Sequence, residues 1–247
     1  MNLDLKIDNI MPKDKLHPKF WYDITLHEAI QDKLMSISVN IMKNIEISDF
    51  VDDIILTGSI SSYNWHSLSD IDVHFVFDFR KIDENTDLVK KMLDLTRMKW
   101  NKDHKILIFN HEVEIYFQDS NEDHESMGVY SLLRKEWIEN PVVASKRPSS
   151  MSVAVKSMAI IREIDRLQEL YAEKRYKEVY LYSKNLKNKI KNMRTSGLSR
   201  EGVFSVENLT FKTLRNNEKL GILGSLKNLS YDKMMSIDKI INVKFKR

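Results

Sequence analysis

The alternation of apolar and polar residues is clearest between residues 54 and 79. An apolar run, Ile54 to Leu56, leads directly into Gly58 and Ser59, and a second apolar run begins after residue 70 and ends near Phe79. Runs of this length bounded by glycine and serine are typical of strands joined through a turn. The pattern predicts a strand, a tight turn, a short helix beginning at Ser59, and a second strand.

Two aspartates, Asp70 and Asp72, open the second run. Because side chains alternate along a strand, both aspartates and His74 are expected on one face, with Ile71 and Val73 on the other. Carboxylates held side by side repel each other and raise each other's pKa. Magnesium prefers oxygen ligands and binds through one or two carboxylates together with substrate phosphates. The pair therefore predicts a magnesium site.

Gly58 and Ser59 predict a phosphate site at the end of the preceding strand. Glycine lets a backbone approach a phosphate closely, since it has no side chain. A helix that begins at Ser59 would also direct its free N–H groups and the positive end of its dipole toward the phosphate. One stretch is thus expected to provide both a metal site and a phosphate site.

The order of these residues resembles the signature of the DNA polymerase β-type nucleotidyltransferase superfamily. The shared features are an apolar strand, Gly58-Ser59, a spacer, and Ser69-Asp70-Ile71-Asp72-Val73. The stretch is most similar to stand-alone nucleotidyltransferase domain proteins of bacteriophages and bacteria. The resemblance implies an α+β fold, with a small mixed β-sheet of the polymerase β type and helices on one face. It also implies transfer of a nucleoside monophosphate from an NTP, with ATP the expected one, to an acceptor hydroxyl with release of pyrophosphate.

The same resemblance implies a third carboxylate on a later strand. Residues 111–117 alternate, so that Glu112 and Glu114 are expected on one face and Val113 and Ile115 on the other. Glu114 is the predicted third carboxylate, and Glu112 is the alternative. The predicted catalytic and metal-binding residues are therefore Asp70, Asp72 and Glu114, which would hold two Mg²⁺ ions, while Gly58 and Ser59 would bind the NTP phosphates.

Periodicity predicts the elements around this centre. A capping box, Thr25-x-x-Glu28, is expected to begin a helix, and residues 84–100 are expected to form another. Two strands are predicted at residues 106–109 and 113–117, joined by a tight turn at Asn110-His111, and residues 129–138 are expected to pack on the sheet. The positions predicted to face inward on the second helix are Leu88, Met92, Leu95 and Met98.

Charge divides the chain near residue 146. Residues 146–247 carry 23 Lys and Arg against 10 Asp and Glu, whereas residues 1–145 carry 16 and 26. The segment Lys146-Arg147-Pro148-Ser149-Ser150 has the composition of a linker. We therefore predict a domain boundary there, with the nucleotidyltransferase catalytic domain that the resemblance implies at residues 1–145 and a C-terminal helical bundle at residues 146–247.

The C-terminal half shows helical periodicity throughout, with a C-cap predicted at Thr195-Ser196-Gly197 and a last helix at residues 234–241. Lysines between the apolar stripes could follow a phosphate backbone, or could simply form a solvated face. The predicted acceptor is an RNA 3′ end. The alternatives are a small molecule or a protein side chain as acceptor, and an inactive module that only binds nucleotide.

Composition further limits the class of protein to which the chain can belong. The 247 residues contain no cysteine, which excludes a disulfide framework. No apolar run approaches the roughly 18 residues of a membrane span, and the N-terminus lacks a secretory pattern. A cytoplasmic protein without a membrane partner is expected, and the sequence predicts no particular oligomeric state.

Overall fold

A computed structural model describes residue 5 and residues 7–122, 127–144 and 147–236 of the chain. It separates into two compact units, Asn9–Arg147 and a second unit that combines Met1–Asp8 with Pro148–Arg247. The first unit ends two residues after the predicted boundary, and the segment Met1–Asp8 belongs to the second unit. The predicted boundary residues 145 and 146 lie outside the described part of the chain.

Within the described residues, the first unit contains eight strands and two α-helices. Its elements are β1 (Trp21–Tyr22), β2 (Thr25–Leu26), α1 (Glu28–Ile45), β3 (Asp53–Thr57), β4 (Ile71–Phe77), α2 (Thr86–Asp103), β5 (Leu107–Ile108), β6 (His111–Asp119), β7 (Val129–Ser131) and β8 (Glu136–Glu139). The described residues of the second unit form α3 (Ser150–Ala172), α4 (Tyr176–Glu201), α5 (Val206–Asn216) and α6 (Lys219–Met235). The chain is therefore of mixed α and β structure.

The main sheet has six strands in the order β5-β6-β4-β3-β7-β8, and β1 and β2 form a separate antiparallel pair. Only β4 and β6 run parallel within the six-stranded sheet, and its other neighbouring strands are antiparallel. The segment at residues 129–138 thus joins the sheet edge as a hairpin. The mixed sheet that the sequence predicted is present among the described residues.

The apolar face of the two central strands forms the core of the first unit. Burial alternates along β4, where every second residue from Ile71 to Phe77 is buried, and Val113 and Ile115 of β6 are buried with them. Helix α1 adds Ile30, Leu34, Ile37 and Ile41 to the same cluster. Since side chains alternate, this packing leaves the polar residues of β4 and β6 on the opposite face.

Helix α2 is rotated from its predicted orientation. Its buried residues are Val89 and Leu93, whereas the positions predicted to face inward are exposed: Leu88, Met92, Leu95 and Met98. The cause is a polar contact on the inner side. Asn101 donates to the carbonyl of Ile115 at 3.1 Å and accepts from its amide at 3.0 Å, so the helix follows the edge of β6. A pattern of apolar residues does not reveal an asparagine that faces inward.

Three further local predictions are wrong. Thr25 lies in β2, and α1 begins at Glu28 after His27, which makes no side-chain capping bond. Residues 58–70 form turns and contain no helix. The turn between β5 and β6 is Phe109-Asn110, with φ values of 51° and 70°. Two successive positive φ values are typical of the tight turns that join antiparallel strands.

The second unit has its own hydrophobic core. It includes Ile161 and Ile164 of α3, Leu186 and Ile190 of α4, and Leu223 of α6. The C-cap predicted at residues 195–197 is wrong, because α4 continues to Glu201. Gly197 instead lets α5 approach, since a Cβ there would lie 2.5 Å from the Cβ of Glu207.

The predicted last helix, at residues 234–241, lies outside the described residues beyond Ser236. None of the helices in the described ranges has both the length and the apolar composition that a membrane crossing requires.

Candidate functional site

The first feature of the site is the contact between Gly58 and Asp72. Gly58 has φ +75°, and a Cβ built on it would lie 1.9 Å from Asp72 Oδ2 and 2.9 Å from Asp72 Cγ. The contact follows from strand pairing, because Thr57 at the end of β3 is the Cα partner of Asp72 in β4. The carboxylate therefore lies against the backbone of the turn, in space that any other residue at position 58 would fill.

The second feature is the register of the two parallel strands. Asp72 of β4 is the Cα partner of Glu114 of β6. The residues two positions earlier on the same face are Asp70 and Glu112, and both line a cavity of about 220 Å³. Asp72 and Glu114 thus form a register pair on β4 and β6, and Asp70, one residue before β4, lines a cavity with Glu112; all four carboxylates are half-buried.

A tyrosine continues this row on β6. The hydroxyl of Tyr116 donates to Glu114 Oε2 at 2.7 Å, and its ring lies 4.8 Å from that of His74. Burial raises the pKa of Tyr116, and the charge of Asp72 and the hydrogen bond to Glu114 raise it further. The phenol therefore stays protonated and remains a hydrogen-bond donor that fixes the Glu114 carboxylate.

Arg97 of α2 supplies positive charge beside the row. Its guanidinium carbon lies 4.8 Å from the centre of the Tyr116 ring, and one terminal nitrogen lies 3.2 Å from Asp94. Arg97 Nε is buried, and no hydrogen-bond partner for it occurs in the described part of the chain. The guanidinium therefore retains donor capacity next to the carboxylate face.

A serine network fixes the turn that carries Gly58. Ser59 Oγ donates to Ser69 Oγ at 2.8 Å, and Ser69 Oγ in turn accepts from the amide of His66 at 2.9 Å. His111 Nδ1 lies 2.6 Å from the carbonyl oxygen of Ser69. These bonds tie the residue before Asp70 both to the turn and to the start of β6, so the two ends of the loop are held together.

The structure brings Gly58, Asp72 and Glu114 together, whereas Asp70 lies one residue before β4 and lines a cavity with Glu112. Asp72 and Glu114 are register partners, Gly58 lies against Asp72, and Ser59 is linked through Ser69 to the residue beside Asp70. Within the described ranges, no three His, Asp or Glu side chains are arranged as a metal-binding group. The charged metal ligands that this face offers are nevertheless all carboxylate oxygens, which is the ligand type that Mg²⁺ prefers.

Sequence reasoning missed Arg97 and Lys105. Lys105 lines the same cavity as Asp70 and Glu112. Arg97 lies one helical turn before Asn101, the residue that attaches α2 to β6. Neither residue belongs to a local motif, because its position depends on how a distant helix packs at the sheet edge. The contact of Asn101 with the Ile115 backbone places Arg97, and the cavity shared with Asp70 and Glu112 places Lys105.

Comparisons of the chain with protein-family models, with curated proteins and with solved structures gave no match.

Proposed function

We propose that the first unit is a magnesium-dependent nucleotidyltransferase of the polymerase β type. It would move a nucleoside monophosphate from an NTP, with ATP the expected one, to an acceptor hydroxyl and release pyrophosphate. One observation carries the proposal: the Asp72 carboxylate lies against the Gly58 turn and is in register with Glu114 on the parallel strand. This arrangement supports the Gly-Ser and Asp-x-Asp resemblance in three dimensions.

The metal ligands in this proposal are Asp70, Asp72 and Glu114, with Glu112 as the alternative third carboxylate. Their donor set fits the group, because it consists of carboxylate oxygens on one half-buried face. Two bound Mg²⁺ ions would supply charge neutralisation at the phosphates and a lower pKa of the acceptor hydroxyl. Tyr116 would hold Glu114 in place through its hydroxyl, which donates at 2.7 Å.

The phosphate site in this proposal is the turn at Gly58 and Ser59. Since residues 58–70 form turns, backbone amides of the turn would bind the β- and γ-phosphates without a helix dipole. The missing side chain of Gly58 lets both a phosphate and the Asp72 carboxylate approach the same backbone. Arg97 adds a cation beside the carboxylate face.

The reaction is a displacement at the α-phosphorus. The acceptor oxygen forms a bond to that phosphorus, the bond to the oxygen that bridges to the β-phosphate breaks, and pyrophosphate leaves with the electron pair. The hydroxyl proton passes to water. The residues of this chain would contribute by alignment and by electrostatic stabilisation, which account for most of the catalysis in phosphoryl-type transfers.

The proposed acceptor is an RNA 3′ end. This choice rests on the basic character of residues 146–247, where 23 Lys and Arg outnumber 10 Asp and Glu. A basic surface attracts a polyanion and makes its binding depend on salt.

The experiment is to incubate the full chain and Mg²⁺ with each of the four α-labelled NTPs, in the presence of RNA, DNA, protein or a metabolite pool. Label on RNA is expected from the wild type, and Asp70→Ala or Asp72→Ala should abolish it while the protein stays folded. Label on a protein or a small molecule instead of RNA would show that the acceptor belongs to that class. Absence of label in every pool, together with undetectable NTP binding, would overturn the proposal.

A further inference from the structure

The second unit contains a cavity of about 680 Å³ between α4, α5 and α6. Its apolar wall includes Ile190, Leu198, Leu220 and Leu223. Its charged residues are all cations, namely Lys187, Lys191, Arg194 and Arg215. A volume of this size is within the range of small-molecule and cofactor sites. No residue of the carboxylate face belongs to it, so it is a separate feature of the chain.

The cations of this cavity belong to the larger set of described cations of the unit that form no ion pair with an acid. Six cations elsewhere in the unit lie in ion pairs with acids: Lys156, Arg166, Arg175, Lys189, Arg200 and Lys219. In contrast, the four cations of the cavity form no ion pair with any acidic side chain in the described part of the chain. Glu218 lines a neighbouring groove that shares Arg215 with the cavity.

Arg194 and Phe211 lie side by side in the wall of the cavity. The guanidinium carbon of Arg194 lies 4.2 Å from the centre of the Phe211 ring, and Nε donates to Asn208 Oδ1 at 3.2 Å. Enclosure of the guanidinium lowers the pKa of Arg194, and the charge of Arg215 lowers it further. Arg194 and Arg215 thus both carry positive charge in the wall of one cavity beside an aromatic ring, and an anion there would be attracted by both.

The spacing on α4 turns three of these cations into a row. Residues 187, 191 and 194 are separated by four and three positions, so they lie on one face of the helix. With a rise of about 1.5 Å per residue, the row extends over about 10 Å. A row of this length matches a ligand with more than one phosphate charge better than a single small anion.

We propose that this cavity binds a nucleotide unit, with its phosphates on the cations of α4 and α5 and its base against Phe211 and the apolar wall. Free nucleotides and single-stranded RNA share this chemistry. Stacking of a base on an aromatic ring and neutralisation of phosphates by Lys and Arg are the two contacts by which proteins bind single strands.

The test is fluorescence anisotropy with a labelled single-stranded RNA in EDTA, so that the proposed magnesium site contributes no binding. Lys191→Glu should weaken binding by about tenfold, since charge reversal removes one attraction and adds one repulsion. The matched control is Lys177→Glu, which makes the same change about 21 Å earlier along the same helix. It is expected to stay within about twofold of the wild type. Equal losses in both variants, or no RNA binding at all, would overturn the proposal.

A second variant separates a base site from simple charge attraction. Phe211→Leu should weaken RNA binding by at least about fivefold, because stacking on an aromatic ring contributes about 1–3 kcal/mol per base. Phe211→Leu should weaken the binding of inorganic polyphosphate less than that of RNA, and thermal denaturation checks that the variant folds. Displacement of the RNA by unlabelled ATP would identify a free nucleotide as the occupant. RNA binding that ATP does not displace would identify a nucleotide within the RNA strand as the occupant.

Equal weakening of RNA and polyphosphate by Phe211→Leu, or no weakening of either, would contradict a base site. Asp72→Asn separates this proposal from the transfer activity, because it should bind RNA in EDTA as the wild type does.

Discussion

The carboxylate of Asp72 and the Cα of Gly58 occupy adjoining space, since a Cβ at residue 58 would lie 1.9 Å from Asp72 Oδ2. A glycine with φ +75° and an aspartate on the facing strand therefore determine each other's positions. The contact explains why the turn after β3 contains glycine without reference to a ligand. It also makes the position of the proposed metal ligand sensitive to a change at residue 58.

Gly58→Ala should displace Asp72 and lower nucleotidyl transfer by about 100-fold, the loss expected from a misplacement of about 1 Å. The matched control is Gly202→Ala. Gly202 has φ +71°, and a Cβ there meets no atom within 4 Å. Backbone strain should therefore lower the unfolding free energy of Gly202→Ala by about 1–3 kcal/mol, and its activity should not change. Equal activity of the two variants would show that the contact with Asp72 has no functional role.

Glu114→Gln and Glu112→Gln should differ in their effect. Glu114 is in register with Asp72 and is held by Tyr116, so Glu114→Gln should lower transfer by about 100-fold. Removal of a group that only supports a metal ligand costs roughly 10- to 100-fold, so the loss of a ligand itself should reach at least the top of that range. Glu112→Gln should retain most of the activity. Initial rates over a Mg²⁺ series measure both, and the reverse order would make Glu112 the third carboxylate.

Asn101→Ala should destabilise the first unit by about 1–3 kcal/mol, because it leaves the amide and carbonyl of Ile115 without their partner on α2. Lys102→Ala, an exposed change on the same helix, should stay within about 0.5 kcal/mol of the wild type. Urea unfolding measures the free energy of both variants. A loss for Asn101→Ala no greater than that for Lys102→Ala would contradict the edge contact.

His17 should make the first unit less stable in acid. Burial, together with the charges of His111 and Lys19, lowers the pKa of His17 from 6.5 to about 4. Between these two values the unfolded chain binds a proton that the folded chain does not. The unfolding free energy should therefore fall as the pH drops from 6.5 to 4, by up to about 3 kcal/mol. His17→Phe keeps a ring beside Phe20 and Trp65 and should remove this part of the decrease. If the unfolding free energy of His17→Phe falls between pH 6.5 and pH 4 by as much as that of the wild type, the role of His17 is contradicted.

The features that the sequence predicted depend on local alternation. Strands β4 and β6 have the predicted faces, so that the carboxylates at residues 72 and 114 lie opposite buried Val73 and Ile115. A period of two residues determines these faces wherever one side is buried. The parallel pairing that places Asp72 beside Glu114 is a long-range contact, and alternation within either strand does not specify it.

The features that could not be predicted depend on polar contacts between distant segments. The orientation of α2 follows from the bonds of Asn101 to Ile115. The turn structure of residues 58–70 is stabilised by the bond of His111 to the Ser69 carbonyl, together with the bonds of Ser69 to Ser59 and His66. In both places side-chain bonds to other segments override the local structural preference. The spacing of apolar residues carries no information about these bonds.

The most direct test of the proposed function is Mg²⁺-dependent transfer of label from α-labelled ATP to RNA by the wild type and by Asp72→Asn. This substitution keeps the shape of the side chain against Gly58 and removes its charge. We predict transfer by the wild type, none in EDTA, and a decrease of at least about 100-fold in Asp72→Asn with an unchanged melting temperature. Transfer that persists in EDTA, or that Asp72→Asn performs at the wild-type rate, would contradict a metal-dependent role for this carboxylate.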